Sequence, residues 1–283
     1  MSKSDVIDLS ELPAPKVIEE LDFETIFQDY LQLFLSLCKD YTGLIESDPA
    51  IILLEVMAYR EMVIRARIND AAKSMMLAYA TGSDLDNLVA DFNIKRLAGE
   101  SDERLRKRRQ LVLESISTAG PKSGYIFHAL SSSVEVKDVS VKSDNPGEVN
   151  VSILSTSDDG VASEKLIKTV QDYLSDENIR PLTDHVIVQS VSILKYSVKA
   201  KLVVYAGPSF EVVAKIAKEN LNKYIEERHA IGEIVAISGI YDALHVEGVR
   251  KVELITPTQD IETGDTEAAF CENIEISTEI FNG

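Results

Sequence analysis

The fold is decided by residues 48–96, DPAIILLEVMAYREMVIRARINDAAKSMMLAYATGSDLDNLVADFNIKR, which have the pattern of a long helix followed by a short one. Asp48 is a suitable N-cap, and Pro49 fits the first helical turn, where its missing N–H costs nothing. The spacing predicts a helix to about Ala80 that ends at Gly82, and a short helix restarts directly after it. The long helix would span roughly 48 Å at about 1.5 Å per residue.

Two apolar stripes run along the predicted long helix, because apolar residues recur there at spacings of three and four. One stripe consists of Ile52, Val56, Tyr59, Val63 and Ala66, and the second of Leu53, Met57, Ile64 and Ile68. In the short helix, the residues predicted to point inward are Leu85, Leu88, Val89 and Phe92. The apolar face of the long helix is too large for one small core to cover. We therefore expect this helix to pack on several neighbours, including other subunits.

The charged residues of the long helix indicate a solvated or interfacial face. Glu61 and Arg65 are four residues apart in the orientation that favours a surface ion pair, and Arg60, Arg67 and Asp70 fall among apolar residues. The methionines of this region, at 57, 62, 75 and 76, fit either ordinary core packing or an adaptable binding groove.

A further amphipathic helix with many aromatic residues is predicted over residues 21–39, packed against the long helix. Residues 1–20 are predicted to be a proline-containing arm pinned by a neighbour.

Composition bounds the class of protein. A chain of 283 residues with 45% hydrophobic residues can bury one or two cores, and its net charge of −18 argues against binding nucleic acid through phosphates. Cys38 and Cys271, far apart in sequence, fit a reducing cytoplasm better than a disulfide framework. We expect no signal peptide and no membrane segment, because apolar runs are short and interrupted by charge.

A cluster of bases follows at Arg104, Arg106, Lys107, Arg108 and Arg109. Ser101 is a candidate N-cap, and acids before these bases complement a helix dipole, so a helix to about Ser117 accounts for the pattern. The same cluster could instead dock an acidic neighbouring subunit. Binding of phosphate is disfavoured, since no glycine-rich loop precedes the cluster.

The pattern changes from helices to strands after Ala119-Gly120-Pro121. Strands are predicted over 134–143 and 149–155 around a turn at 144–147, then at 184–192, 196–205 and 274–281; helices are predicted over 162–174 and 209–228. A weak repeat relates KSGYIFHAL and VKDVSVKSD to ISGIYDALHVEGVRKVELITP, through either duplication or chance. The predicted fold is α+β, with a helical domain over 1–118 and two small antiparallel α/β sandwich domains over 119–192 and 193–283.

No pattern of catalytic or ligand-binding residues emerges. The four histidines, His128, His185, His229 and His245, lie in separate contexts without ligand spacing, and each is interpreted as a surface or helix-end residue. The sequence contains no Cys-x-x-Cys pair, nucleophile elbow, Walker loop or dinucleotide fingerprint. Any two of its 47 acids could converge in space, yet no pair stands out. We therefore predict no catalytic, cofactor-binding or metal-binding residues, no cofactor and no small-molecule substrate.

Several segments together resemble the baseplate J-like proteins of contractile-tailed phages and related contractile injection particles. The resemblance is carried by SDPAIILLEVMAYRE, RARINDAA, LAYATGSDLDNL, ESDERLRKRRQLVLES, TAGPKSGYIFHAL and VKDVSVKSDNPGEVNVSIL, and it covers roughly residues 45–255. Their order and spacing carry the resemblance, since no single segment is a catalytic fingerprint. Asn93 is a small departure, where the family has a more glycine-like residue, and Asn tolerates a left-handed conformation.

This resemblance implies a wedge subunit of the tail baseplate in the virion, without enzymatic activity. The implied partners are further copies of the chain, other wedge subunits, the baseplate hub or spike, and tail-fibre attachment proteins. Its copies would form a ring around the hub and transmit the change that triggers sheath contraction, with hinges hypothesised near Gly120 and Ser192. The alternatives are a soluble α/β ligand-binding or enzymatic protein with a helical dimerisation domain, and a plain adaptor without ring symmetry.

Overall fold

The computed structural model describes residues 7–9, 12–13, 15–42, 45–117, 120–205 and 210–281. Its elements, in chain order, are α1 (Phe23–Leu37), α2 (Pro49–Ser74), α3 (Gly82–Ala90), α4 (Asp102–Ser115), α5 (Lys122–Ser132), β1 (Val136–Lys142), β2 (Glu148–Ser155), α6 (Glu164–Leu174), β3 (His185–Ser190), β4 (Ser192–Tyr205), α7 (Phe210–Arg228), α8 (Ile237–Leu244), β5 (Val249–Thr256) and β6 (Glu267–Phe281). The predicted α+β class is confirmed. The predicted start of a helix at residue 209 lies outside the described residues.

The chain divides into two compact units. Residues 7–96 with 101–106 form a helical unit, and residues 97–100 with the chain from 107 onward form a unit that contains both sheets. The predicted division into three domains, with boundaries at residues 118 and 192, stays a prediction.

The long helix α2 begins where the sequence predicts but ends earlier. The Asp48 carboxylate accepts a hydrogen bond from the Ala50 amide at 2.8 Å and so caps the helix. The helix ends at Ser74 rather than near Ala80, and Gly82 begins α3 instead of ending α2. The predicted boundary at this end was therefore wrong.

An arginine far along the chain explains the early end of α2. The Arg106 side chain donates hydrogen bonds to the carbonyl oxygens of Leu77 and Ala80, at 2.7 and 2.9 Å. Backbone carbonyls that leave a helix need other donors, and a guanidinium offers several in a fixed plane. The segment between α2 and α3 can therefore turn without leaving these carbonyls unpaired.

Each of the two sheets has three strands and is mixed, not antiparallel throughout as predicted. In the first sheet β2 lies in the centre, antiparallel to β1 and parallel to β3; in the second, β4 lies between the antiparallel β5 and the parallel β6. The connection from β2 to β3 passes through α6, and a helical crossover returns the chain in the same direction. The hairpin from β1 to β2 forms as predicted, with Gly147 at φ +82° in its turn.

The two sheets share one arrangement but differ in chain order. In each, a helix that begins with Ser-Gly within its first three residues leads into an edge strand: α5 into β1 and α8 into β5. In the first sheet this helix-strand pair precedes the central strand and its helix, whereas in the second it follows them. The repeated sequence motif therefore marks equivalent places in the two sheets.

Helices and strands of the second sheet bury a common core. Val198, Ala200, Leu202 and Val204 all point into it from β4, as the alternating pattern predicts, and Leu221, Ile240 and Leu244 meet them from α7 and α8. The final strand β6 forms as predicted, at an edge of its sheet, although it begins at Glu267 rather than at residue 274.

Direct contacts join the two sheets at the β3–β4 junction. Val191 is buried with Leu154, Ile231 and Ala268. The Val191 amide donates to the Ile153 carbonyl at 3.1 Å, and the next amide, of Ser192, donates to the Thr266 carbonyl at 3.0 Å. A junction whose backbone is hydrogen bonded on both sides resists rotation, so these contacts argue against the hinge hypothesised near Ser192.

Gly239 in α8 should not tolerate a side chain. A Cβ added there would lie 2.4 Å from Cζ of Tyr224, and Tyr224 is held in place because its hydroxyl bonds both the amide and the carbonyl of Ala236. We expect Gly239→Ala to lower the free energy of unfolding by about 1–3 kcal/mol, as overpacking does. Chemical denaturation of the purified chain measures this change. Gly264→Ala is the control, because its new Cβ would come no closer than 3.3 Å to any atom, the Glu267 carboxylate oxygen, and an equal loss in both variants would contradict the explanation.

Candidate protein interface

The histidines and acids do not converge on a reactive site. No group of three or more His, Cys, Asp or Glu within the described ranges could hold a metal ion, and none of the helices described there is long and apolar enough to cross a membrane. His185 and His245 are exposed, whereas His229 follows α7 and its buried Nδ1 lies 2.8 Å from the Ala269 carbonyl oxygen. His128 contradicts the surface interpretation, since it lies half-buried inside α5, where burial lowers its pKa.

The apolar stripes predicted on α2 face solvent instead of the core. The buried side of the helix carries Ile51, Leu54, Ala58 and Asn69. The predicted stripe residues Ile52, Leu53, Val56, Met57, Tyr59, Val63, Ile64 and Ile68 are each 39–59% exposed. We call these eight residues the open face of α2.

The other side of α2 packs within the chain. The Tyr30 hydroxyl of α1 donates to the Glu61 carboxylate, which also pairs with Arg65 at 2.5 Å, so the predicted Glu61–Arg65 pair is confirmed. The hydrogen bond from Tyr30 lowers the pKa of Glu61, and the same bond raises the pKa of Tyr30. Arg65 also reaches the carboxylate of Glu19 at 3.5 Å.

Asn69 holds the N-terminal segment onto α2 from within the chain. Its amide oxygen accepts a hydrogen bond from the Glu19 amide at 3.1 Å, and its amide nitrogen donates to the Glu19 carbonyl at 2.8 Å. The buried Asn69 side chain thus pairs with backbone as a neighbouring strand would. The pinned arm of the sequence prediction has its partner here, on α2.

We expect Asn69→Ala to release this segment. The amide and carbonyl of Glu19 would lose their partner on α2, and because Glu19 is exposed these groups can bond water once the segment detaches locally. Limited trypsin digestion at Lys16 and amide hydrogen exchange of Glu19 measure the release. Asn87→Ala is the matched control, because the exposed Asn87 side chain donates only to Ser83 within α3, and it should leave the cleavage rate unchanged.

Charge on the open face is sparse, with two arginines within it and the exposed Asp70 at its C-terminal end. Arg60 and Arg67 lie among the stripes, are exposed, and form no ion pair with any residue that the structure describes. Single exposed apolar residues are normal, but a contiguous apolar surface beyond a few hundred Å² marks a binding site. The open face therefore has the composition of an interface core, apolar and poor in charge.

The basic cluster of α4 is used largely inside the chain. Arg106 bonds the two carbonyls after α2, Lys107 pairs with Asp138 at 3.1 Å, and Arg108 pairs with Glu100 at 2.7 Å. The amide of Arg104 donates to the Ser101 hydroxyl at 3.3 Å, so Ser101 caps the helix as predicted. Arg106, Lys107 and Arg108 thus have intramolecular partners, which weakens the alternative that this cluster docks an acidic neighbour.

Known proteins are similar to this chain along most of its length. Family models match residues 46–101 as a Baseplate J-like N-terminal domain, 117–190 as a Baseplate J-like central domain and 196–277 as a Baseplate J-like protein C-terminal domain. The Baseplate protein J of Escherichia phage P2 is 40% identical over 295 residues, which cover 96% of this chain and 98% of that protein.

A solved baseplate of the anti-feeding prophage contains a more distant neighbour. It matches 62% of this chain at a TM-score of 0.44 and 13% identity, and this chain spans only 42% of that one. The family match and the close phage relative agree with the resemblance in the sequence. The chain therefore belongs to the Baseplate J-like family and is a structural protein of the bacteriophage tail baseplate in the virion.

Proposed function

We propose that copies of this chain form a wedge ring around the tail hub, in which the open face of α2 is buried against other polypeptides. The observation that carries the proposal is the exposure of eight large apolar side chains on one helix face, each 39–59% exposed in the single chain. Such a surface is costly to leave in water, and burial of apolar area is the main favourable contribution to protein association.

The partners of this face are further copies of the chain and other wedge subunits. Its two arginines, Arg60 and Arg67, favour a partner that brings acidic residues, since opposite charges beside an apolar contact fix its register. The chain as a whole carries a net charge of −18, so electrostatic repulsion disfavours association of free copies before the correct partners are present. The hub or spike and the tail-fibre attachment proteins complete the proposed set of partners.

The proposed action is mechanical, and we propose no enzymatic activity. A change in the angle between subunits of the ring would release the sheath. The sheet-containing unit is suited to move as one body, because hydrogen bonds and the buried Val191 join its two sheets. The hinge hypothesised near Gly120 also lies inside this unit, where the Lys107–Asp138 pair and the bond from Arg108 to Ser131 join the chain on either side of it, so we retain neither hypothesised hinge.

Two measurements test the proposal. Tail particles purified from lysed cells should contain the chain in several copies, detected by mass spectrometry, and a mutant phage that lacks it should produce no complete baseplate by electron microscopy. Co-expression with the neighbouring tail proteins should give a complex of defined symmetry by light scattering. A monomer that ignores these proteins and binds a metabolite would instead support the soluble ligand-binding alternative, and stable one-to-one complexes without a ring would support the adaptor.

A further inference from the structure

One face of the first sheet carries a polar pocket, and no residue of the open face of α2 lines it. Ser140 of β1, Ser152 of β2 and Gln189 of β3 lie side by side across the three strands, and Lys142 pairs with Asn150 in a neighbouring row. These residues, with Asp144 and Thr266, line a cavity of about 180 Å³. Its lining contains no aromatic or aliphatic residue, which is unusual for a ligand site and argues against an apolar ligand.

A buried hydroxyl in this pocket lacks a partner. Ser140 is 2% exposed, and its Oγ forms no hydrogen bond with any of the residues that the structure describes. The neighbouring Ser152, 1% exposed, differs because its Oγ accepts a hydrogen bond from the Gln189 side chain at 3.1 Å. Buried polar groups are nearly always paired, and an unpaired one costs free energy. A group that enters the pocket would therefore gain a hydrogen bond that the chain alone leaves unmade.

The charged residues of the pocket leave one carboxylate, that of Asp144, without an ion-pair partner among the described residues. The Lys142 ammonium is 2.8 Å from the Asp265 carboxylate, and this bond raises the pKa of Lys142 and lowers that of Asp265. Asp144 at the rim is exposed and forms no ion pair within the described ranges of the chain. Because the only lysine of the lining is already paired, an anion would meet Asp144 without a compensating charge.

We infer that this pocket receives an arginine side chain from another baseplate component. A guanidinium has five donors in one plane and a fixed positive charge. Its donors can reach three separate acceptors of the lining: the hydroxyl of Ser140, the side-chain oxygen of Asn150 and the carboxylate of Asp144. An ammonium offers only three donors around one atom. The inference rests on the proposed function, because it supposes that other proteins of the baseplate cover this sheet face.

The test uses the purified full-length chain and a small probe in place of the partner. N-acetyl-arginine amide is titrated against protein labelled with ¹⁵N at Asn and Gln, and the side-chain amide signals of Asn150 and Gln189 are followed by NMR. Saturable shifts with the arginine probe, and none with the neutral N-acetyl-citrulline amide, are expected. Equal shifts with both probes, or no saturable shift, would overturn the inference.

Two variants sharpen the test. Asp144→Asn should weaken binding of the probe by about fivefold or more through loss of a charged acceptor, whereas Asp172→Asn, an exposed change on α6, should leave it unchanged. Ser140→Ala should weaken binding yet leave the denaturation midpoint of the free chain unchanged or raised. A lowered midpoint would show that an internal water already satisfies the hydroxyl, and it would overturn the inference.

Failure of this inference can be told apart from failure of the proposed function. If the probe does not bind but the chain is still found in purified baseplates, only the arginine site is wrong. If the probe binds specifically and the chain is absent from the particle, the proposed assembly is wrong instead.

Discussion

Leu53→Glu should abolish incorporation of the chain into tail baseplates while leaving the isolated chain folded. Leu53 is 59% exposed on the open face of α2, so in the free chain a glutamate there stays solvated and changes the free energy of unfolding by no more than about 0.5 kcal/mol. In the assembled particle the same carboxylate would be removed from water without a partner, which costs several kcal/mol. Complementation of a mutant phage, with the particle content measured by immunoblot, should show at least about a tenfold loss, equivalent to 1.4 kcal/mol.

The matched control is Leu182→Glu, the same substitution at a residue that is 89% exposed and lies outside α2. It should be incorporated at the wild-type level. Ile64 belongs to the same stripe of the open face and is 55% exposed, so Ile64→Glu should also prevent incorporation. If both open-face variants assembled normally, α2 would not be an assembly interface, and its exposed apolar residues would need another explanation.

The sequence locates the stripes of α2 but cannot tell which side of the helix meets the core. Apolar residues occupy nearly every direction around α2: Ile51 and Leu54 point to the buried side, while Ile52 and Leu53, beside them in sequence, point to solvent. Because α2 carries apolar residues on all sides, some for the core of the chain and some for a partner, hydrophobic periodicity does not indicate which side is buried. The packing of α1 and of the N-terminal segment against α2 decides which residues stay open.

Contacts between distant parts of the chain account for the errors at helix ends and in the sheets. The bonds from Arg106 to the segment after α2 join residues 26 and 29 positions apart, and no local pattern around Ala80 reveals them. The strands themselves and the turn at Gly147 follow from alternation and turn residues. The parallel pairs β2–β3 and β4–β6 do not, because strand direction depends on the path of the intervening chain.

Arg108 shows the same limit for charged residues. In sequence it is one of five bases in a cluster, and nothing local distinguishes it from Arg106 or Lys107. In the structure its side chain is 5% exposed and pairs at 2.7 Å with Glu100, whose side chain is fully buried. Helical position alone places a residue on a face, whereas burial depends on what covers that face.

Glu100→Gln should therefore cause the largest loss of stability of any single substitution considered for this chain. The Glu100 carboxylate accepts from Arg108 Nη1 at 2.7 Å and from the Leu97 amide at 2.9 Å, and Arg108 also donates to the Ser131 hydroxyl at 3.2 Å. The substitution takes the counter-charge at 2.7 Å away from the buried guanidinium, and breaking a buried pair in this way costs about 3–5 kcal/mol. Chemical denaturation of the purified chain measures the loss.

Two comparisons separate the buried charge from other effects of the substitution. Glu219→Gln breaks the exposed Lys215–Glu219 pair of α7, and it should change the free energy of unfolding by less than about 1 kcal/mol. The double variant Glu100→Gln with Arg108→Met removes both charges and should recover part of the loss, because an uncharged side chain of similar length needs no partner. A double variant as unstable as the sum of its two single variants would contradict this account. It would then follow that Glu100 stabilises the loop before α4 through the Leu97 amide, independently of Arg108.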